Sequence, residues 1–288
     1  MTREGILATA RTDVPCRVVK RLRECLTCTT MRTGIMPRIH IDTCVSRPMA
    51  RISAKPVGSQ PRSHWKFRRC STWVPIPPSW KLAGSGGYAL HLAEKLGCQI
   101  VGLDINEPGI RSAKELAQRG ALASRARFEQ CDVSTNLPFG DQTFDAAFSN
   151  DVLCHVPGRL DLLVEIFRVL KPSGRLLFSD ALVIGGMVSA EEIAIRSSIG
   201  FYFYSPPGEN ERLLEQAGFS QVRTADTTEN AARISKRWHD AREKWKAELV
   251  TAEGSPNFEG LQRFLSCAHT LTSERRLLRY LYFARKTS

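Results

Sequence analysis

The sequence predicts an α/β fold built on a doubly wound, mostly parallel sheet. Three observations carry this prediction: strand-like and helical patterns alternate between residues 84 and 181, short loops join them, and polar residues stand at the strand ends. Alternating strands and helices form parallel sheets that are covered by helices on both faces. In such sheets a ligand binds beyond the carboxyl ends of the strands, at the topological switch point.

The first readable elements follow a glycine-rich turn, Gly84-Ser85-Gly86-Gly87. A helix is predicted next and can end at Gly97, because apolar residues recur at helical spacing at Ala89, Leu92, Ala93 and Leu96. The short apolar run 98–104 ends on Asp104 and is typical of a buried parallel strand. Pro108 opens a second predicted helix, which closes near Gly120.

The same alternation continues to residue 180. Residues 126–132, 144–150 and 175–180 predict strands, and an amphipathic helix from Leu160 to Leu170 precedes the last of them. Polar residues end four successive strands, at Asp104, Asp132, Asn150 and Asp180. One such acid alone is better explained as a helix cap, but four polar ends in series favour a binding edge.

Less regular patterns follow. Ser189 has the spacing of a helix cap, residues 200–207 are unusually aromatic, and 208–217 predict a helix. Residues 220–227 and 277–286 predict the last two strands. Between them lies an insert, 229–274, in which a charged surface helix is expected from Glu229 to Glu253, with an apolar stripe at Trp238, Ala241, Trp245 and Leu249.

Almost all of the net positive charge of the chain lies in its first 80 residues. The whole chain carries a net charge of +12, of which residues 1–80 hold +11, together with five of the nine cysteines. These 80 residues show no sustained helical or strand period. We therefore predict an atypical basic segment at 1–80, disordered or non-native, and one domain at 81–288, with a core at 81–181 and substrate elements and last strands at 182–288.

Several classes of partner are disfavoured. No run of 18 apolar residues predicts a membrane span, and the near-neutral charge of 81–288 argues against nucleic acid. Cys25 and Cys28 lack the second cysteine pair that a zinc site needs, so no metal is predicted. We expect a cytoplasmic protein, or an organellar one if the basic segment is a transit peptide.

The glycine turn and Asp104 together indicate a nucleoside ligand. Glycines let backbone N–H groups approach a ligand closely, and Asp104 lies 18 residues after Gly86. An acid at the end of the second strand, about 20 residues beyond such a turn, reaches ribose hydroxyls.

Further motifs stand at Ile100-Val-Gly-Leu-Asp104, Cys131-Asp132-Val133, 137–150, His155-Val156 and Leu170-Lys-Pro-Ser-Gly-Arg-Leu176. In their order and spacing, residues 82–181 resemble the class I S-adenosylmethionine-dependent methyltransferases, of methyltransferase type 11. The most similar branch acts on small molecules and includes ubiquinone/menaquinone-type, sarcosine and phosphoethanolamine methyltransferases. The resemblance implies a Rossmann-like sheet whose seventh strand is antiparallel.

The resemblance also implies that S-adenosyl-L-methionine is the cofactor and assigns roles to individual residues. Gly84 and Gly86 would line its methionine part, and Asp104 would hold the ribose hydroxyls. Ile105 would pack on the adenine face. The remaining cofactor residues would be Asp132 at the adenine amino group, Val133 at the ring edge and Asn150 near the methyl group.

Acceptor residues are expected beyond the fourth strand. His155 is the best candidate for a general base, with His239 and His269 as alternatives; a merely structural histidine is the competing interpretation. Phe201, Tyr202 and Tyr204 are expected to wall the acceptor, or else to pack in the core.

One departure from the family pattern concerns the first strand. Trp80 stands where the family has an acid and Leu82 where it has its first glycine. Prolines 75, 77 and 78 cannot supply a central strand, because proline lacks the ladder N–H. The first strand is therefore doubtful, and we expect the chain to fold poorly or to bind the cofactor weakly.

Together these observations predict an enzyme of class EC 2.1.1.- that methylates a carbon, nitrogen or oxygen atom of a small molecule. A catalytically impaired protein of the same fold is the alternative. A nucleic-acid methyltransferase is disfavoured, because the fourth strand ends Ser149-Asn150-Asp151 and carries neither an Asn-Pro-Pro-Tyr-type motif nor a Pro-Cys pair.

Overall fold

The computed structural model describes residues 79–82 and 86–287, with side chains from residue 86 onward. The basic segment up to residue 78, including Cys25 and Cys28, and the turn residue Gly84 therefore lie outside the described residues. Within the described residues, no helix is both long enough and apolar enough to cross a membrane.

Seven strands in the described part of the chain form one sheet in the order β3-β2-β1-β4-β5-β7-β6. Strands β1 to β5 are parallel, and β7 is antiparallel to both β5 and β6. This confirms the predicted doubly wound sheet and its antiparallel last strand. The strands are β1 Ser79–Leu82, β2 Ile100–Asp104, β3 Ala126–Gln130, β4 Phe144–Asn150, β5 Leu170–Ile184, β6 Phe219–Asp226 and β7 Leu277–Lys286.

The first strand, which was doubtful from the sequence, is present. Strand β1 lies in the middle of the sheet, where Ser79 pairs with Ile100 of β2 on one side and with Ala146 of β4 on the other. Proline excludes residues 75–78 from a central ladder, but this restriction ends at Pro78, and the strand starts at the next residue. Four residues are therefore enough to join the two halves of the sheet.

Helices cover both faces of this sheet. On one face, α1 and α2 pack in an apolar cluster with Ile100 of β2, and on the other face α3 and α5 pack in a cluster with Leu103. Residues an odd number of positions apart in a strand point to opposite faces, which explains the division. The helices are α1 Gly87–Leu96, α2 Glu107–Arg119, α3 Arg159–Val169, α4 Ala190–Arg196, α5 Glu209–Gln216, α6 Thr228–Lys244, α7 Lys246–Glu253 and α8 Ser255–Ser273.

The insert differs from its prediction. The single helix expected from Glu229 to Glu253 is broken at Trp245, where helix α6 ends and α7 begins. In the predicted apolar stripe Trp238 is 45% exposed whereas Leu249 is buried, so the stripe is not one continuous buried face. The buried face of α6 carries small and polar residues as well as Ile234, which hydropathy spacing alone does not detect: Thr228, Asn230, Ala232 and Ser235.

Substitution of Gly86, in the turn that precedes α1, tests the fold. Gly86 has φ +79°, and a Cβ atom there would lie 2.6 Å from the Cβ of Ala113 and 3.1 Å from the Phe128 ring. Gly86→Ala is therefore expected to lower the free energy of unfolding by about 2–4 kcal/mol, from left-handed backbone strain and overpacking. Gly87→Ala is the control, because nothing lies within 4 Å of its Cβ position. Urea unfolding measures the free energy of unfolding of both variants. Equal stability would contradict the close approach of Ala113 and Phe128 to Gly86.

Candidate active site

The candidate site lies at the carboxyl ends of the central strands. Strand β1 is followed in the chain by α1 and β2, which lie to one side of it, whereas its other neighbour in the sheet is β4. The chain therefore switches direction across the sheet between β1 and β4, which is where ligands bind in doubly wound sheets. Gly86 lies at this point and opens α1, where its carbonyl oxygen accepts the Leu90 N–H at 2.8 Å.

The end of β2 presents an acid and an exposed apolar side chain. The Asp104 carboxylate accepts the Asn106 N–H at 3.0 Å, and the Asp104 carbonyl accepts the Cys131 N–H at 3.0 Å. These bonds connect the ends of β2 and β3. Ile105 is 64% exposed, which is unusual for isoleucine, so it offers an apolar surface next to the carboxylate.

The residues after β3 form a tight polar turn. Asp132 lies two residues beyond the strand, and its Oδ1 accepts the Ser134 hydroxyl at 2.6 Å and the Ser134 N–H at 2.9 Å. These hydrogen bonds hold the pKa of Asp132 below its ordinary value, so it is a carboxylate at neutral pH. Val133 is partly buried and packs against the core, which anchors the turn.

A buried arginine binds the end of β4. Arg279, the third residue of β7, is 2% exposed and donates through Nη2 to Asn150 Oδ1 at 3.0 Å. Its Nε donates to both Asp151 carboxylate oxygens at 3.1 Å, and Ser179 of β5 donates to the Oδ1 atoms of Asn150 and Asp151 at 3.1 Å and 2.8 Å. The amide oxygen of Asn150 is thus occupied within the protein.

Asp151 is ionised despite its surroundings. Burial alone would raise its pKa, but the charge and hydrogen bonds of Arg279 and the Ser179 hydroxyl outweigh burial and hold the pKa below its ordinary value. Sequence analysis identified neither Arg279 nor Asp151 as a site residue, and it treated 277–286 only as a strand. The available signal was a cation inside the otherwise apolar run Leu277-Leu278-Arg279.

His155 is brought together with the aromatic segment. It ends a 3₁₀ turn, Leu153–His155, that follows β4, and its Nδ1 lies 2.7 Å from the carbonyl oxygen of Phe201. Because a carbonyl oxygen only accepts, Nδ1 carries the proton and the lone pair of the neutral ring is on Nε2. The ring centre of Tyr202 lies 4.5 Å from that of His155, and the Phe201 side chain is 69% exposed.

Other predicted residues lie in structural positions. Tyr204 packs in the core, and its hydroxyl is 3.0 Å from Ser197 Oγ. The hydrogen-bond partners of His239 lie in the insert: Asp240, and Gln262, which donates to its carbonyl oxygen. His269 Nδ1 donates to Ala232 O at 2.9 Å and so links α8 to α6.

Asp180 does not lie on the binding edge, contrary to the sequence interpretation. It is fully buried, because β5 continues four residues beyond it, and its carboxylate pairs with Arg159 Nη1 at 3.0 Å. Ser205 and Asn210 also hydrogen-bond to Asp180, at 3.3 Å and 3.1 Å. This buried cluster fixes the position of Ser205, the residue that directly follows the aromatic segment 201–204. Among the described residues no group of three or more histidine, cysteine or acidic side chains could hold a metal ion.

The sheet order agrees with the fold that the resemblance implies. Comparison with known proteins agrees: residues 82–178 match the protein family described as methyltransferase domain. Residues 82–178 are thus similar to a methyltransferase domain, as the resemblance implied.

Relatives of known name match a larger part of the chain. Phosphoethanolamine N-methyltransferase 1 of Arabidopsis thaliana is 28% identical over 178 residues, covering 62% of this chain and 35% of the relative. O-methyltransferase resE of Aspergillus sclerotiorum is 29% identical over 157 residues, covering 53% of this chain and 58% of the relative. The aligned part of the chain spans about a third of the length of the plant relatives it matches.

Solved structures share the fold at low sequence identity. Haemonchus contortus phosphoethanolamine N-methyltransferase 2 in complex with S-adenosyl-L-methionine superposes with a TM-score of 0.67 at 21% identity, covering 74% of this chain and 49% of that one. The [4+2]-cyclase SpnF superposes with a TM-score of 0.62 at 22% identity, covering 74% and 75%.

The Arg279 cluster gives a second test. Arg279→Met leaves the Asp151 carboxylate, whose side chain is 30% exposed, without its cation, which is expected to lower the free energy of unfolding by about 1–3 kcal/mol. Arg119→Met is the control, since Arg119 pairs with Glu115 on the exposed surface of α2 and is expected to change stability by less than about 1 kcal/mol.

A double variant, Arg279→Met with Asp151→Asn, separates charge from packing. It removes the unpaired carboxylate and is expected to recover part of the loss. Urea unfolding of the three variants decides: equal losses for Arg279→Met and Arg119→Met would contradict a central role for this cluster.

Proposed function

We propose that this chain transfers a methyl group from S-adenosyl-L-methionine to a carbon, nitrogen or oxygen atom of a small molecule. The observation that carries the proposal is the pair formed by the Gly86 turn and Asp104 at the ends of adjacent strands β1 and β2, within a region that matches a methyltransferase domain. The named relatives, which include phosphoethanolamine and O-methyltransferases, support a small-molecule acceptor.

Cofactor binding is proposed to use four strand ends. The Asp104 carboxylate would accept both ribose hydroxyls, which suits an anion with two oxygens. Ile105 would cover the adenine ring, and Asp132 and Val133 would contact its edge. Gly84, Gly86 and Asn150 would face the methionine part, with the amide nitrogen of Asn150 as donor because its oxygen is bound by Arg279.

The reaction asks little of the protein beyond alignment. A sulfonium methyl group is already electrophilic, so the chain has to hold the acceptor in line with it and exclude water. An acceptor that must lose a proton also needs a base. His155 suits this role, because its Nδ1–H is held by the Phe201 carbonyl and the Nε2 lone pair remains to accept the proton. Tyr202 and the exposed Phe201 would line the acceptor side.

A catalytically impaired protein is the second candidate. Leu82, which stands where the family has a glycine, is the last residue of β1. The cyclase SpnF also shares this fold, so the fold alone does not fix the reaction. Cofactor binding by the full chain separates the two candidates.

Calorimetric titration of the full chain with S-adenosyl-L-methionine is expected to show binding that depends on Asp104. Asp104→Asn is expected to weaken it by about 10- to 100-fold, since hydrogen bonds to a charged group contribute about 1.5–3 kcal/mol. Glu107→Gln is the control, because this exposed acid near the same strand end pairs with Arg111. Absence of heat from the unaltered chain would favour the impaired protein.

Methyl transfer from tritiated cofactor to a metabolite extract tests the base. His155→Gln is expected to lower kcat about 100-fold, the lower range for removal of a general base, with the cofactor affinity unchanged. His239→Gln should leave the rate unaltered, because His239 contacts residues of the insert. Equal rates for both variants would remove His155 from the mechanism.

A further inference from the structure

The connection between β3 and β4 crosses the sheet without a helix. These two parallel strands are separated in the sheet by β2 and β1, and residues 131–143 join them. All of residues 131–143 are described, and none of them lies in a helix. A crossover between parallel strands is usually made by an α-helix, which satisfies its own backbone groups. The backbone of this connection therefore needs other hydrogen-bond partners.

A glutamate and an arginine on α3 supply those partners. Glu165 Oε2 accepts the N–H of Leu137 at 2.9 Å, and Arg168 Nη2 donates to the carbonyl oxygen of Leu137 at 3.1 Å. Arg168 Nη1 also donates to the Phe139 carbonyl oxygen and to Asp141 Oδ1, both at 2.8 Å. Both backbone polar groups of the buried Leu137 are thus satisfied by side chains of one helix.

The same two side chains also bind each other. Arg168 donates through Nε and Nη2 to the two carboxylate oxygens of Glu165, each at 2.8 Å. The hydrogen bonds from Arg168 and from the Leu137 N–H hold the pKa of Glu165 below its ordinary value, against the opposite effect of burial. All five N–H groups of the Arg168 guanidinium have an acceptor. The Glu165–Arg168 pair therefore has one defined geometry on α3.

The connection held by this pair begins at the proposed adenine contacts. Asp132 and Val133 follow directly on its first residue, and Val133, Leu137 and Phe139 all pack against one apolar cluster. Leu137 lies only four residues beyond Val133, so a loss of order at Leu137 would extend to the turn that carries Asp132. A binding segment that is already ordered loses less conformational entropy when its ligand arrives.

We propose that Arg168 is a positioning residue for the adenine end of the cofactor. The inference rests on the proposed function, which assigns Asp132 and Val133 to that end. By binding the backbone of Leu137 and Phe139, Arg168 holds the Asp132 turn in its binding conformation before the cofactor arrives. Arg168 acts through this connection and not on the methyl group, so it sets how tightly the cofactor binds and not how fast the methyl group moves.

Calorimetric titration of the full chain with S-adenosyl-L-methionine tests the inference. Arg168→Met is expected to raise Kd about tenfold, because ordering of the connection then opposes binding. Arg212→Met is the matched control, since Arg212 forms the same bidentate pair with Glu209, three residues before it on α5. Arg212→Met should leave Kd unchanged.

Two further measurements separate positioning from a general loss of stability. In the chain without cofactor, Arg168→Met should speed hydrogen exchange of the Leu137 amide at least about tenfold, and that of Leu176 in the core strand β5 much less. In methyl transfer, Arg168→Met should raise the KM for S-adenosyl-L-methionine and leave kcat unchanged, as expected when only binding is weakened.

Should Arg168→Met fail to fold, Arg168→Lys decides. Lysine keeps the charge but lacks the planar fork that binds Glu165 and two carbonyl oxygens together, so Kd should rise at least about threefold. Kd values equal to that of the unaltered chain, or unchanged exchange at Leu137, would overturn the inference.

Failure of the proposed function gives a different result. The unaltered chain would then bind no S-adenosyl-L-methionine, although exchange at Leu137 would still depend on Arg168. That outcome would overturn the assignment of Arg168 to the adenine end together with the proposed function, whereas binding that is equal in the unaltered chain and in the Arg168 variants would overturn this inference alone.

Discussion

The hydrogen-bonded contact between Arg279 and the end of β4 is the interaction on which the site depends. A guanidinium in the middle of a sheet requires acceptors on all sides, and Asn150, Asp151 and Ser179 supply them from two other strands. The antiparallel strand β7 thereby fixes side chains beyond β4, although it pairs with β5 and β6. The orientation of the Asn150 side chain is consequently set by a residue of β7.

A second buried cluster, around Arg159, anchors the side of the site where the acceptor is proposed to bind. Arg159 of α3 joins Asp180 of β5 to Ser205 and Asn210, and the backbone of Ser205 is hydrogen-bonded to the end of β5. The aromatic segment before Ser205 is thus anchored at one end, and the carbonyl of Phe201 in it orients His155. Both clusters place charge in the interior, where an unpaired group is strongly destabilising, and so favour a single arrangement of the site.

Most of the architecture could be predicted from the sequence, because the relevant signals are local. Strands β4 and β7 were predicted at their observed bounds, since each is an apolar run between turn signals. The end of β2 was placed by the same reasoning, whereas β3 ends at Gln130, two residues before its predicted end. What failed depended on tertiary context: the prolines concealed a strand that begins at Ser79, and helical spacing placed Trp238 on a buried face although it is 45% exposed.

The site residues also fall into two groups: those that a local sequence pattern reveals and those that depend on tertiary contacts. Asp104 and His155 could be proposed because each follows a readable strand, whereas Arg279 could not, since its partners lie far away in sequence. The opposite error was made for Asp180, whose place at an apparent strand end looked like a binding position. A strand that extends past its polar residue, and a cation from α3 that pairs with it, are not visible in a local pattern.

The distance in sequence between Arg279 and Asp151 also affects the order in which the protein folds during synthesis. The two residues are 128 positions apart, so a growing chain already contains β1 to β4 long before the arginine is added. At typical rates of synthesis this interval lasts on the order of ten seconds. During that time Asp151 lacks the cation that compensates its burial, so the nascent domain can assemble the first half of the sheet but not a finished edge. Such a long-range contact is expected to form late in folding, and the ligand site would mature with it.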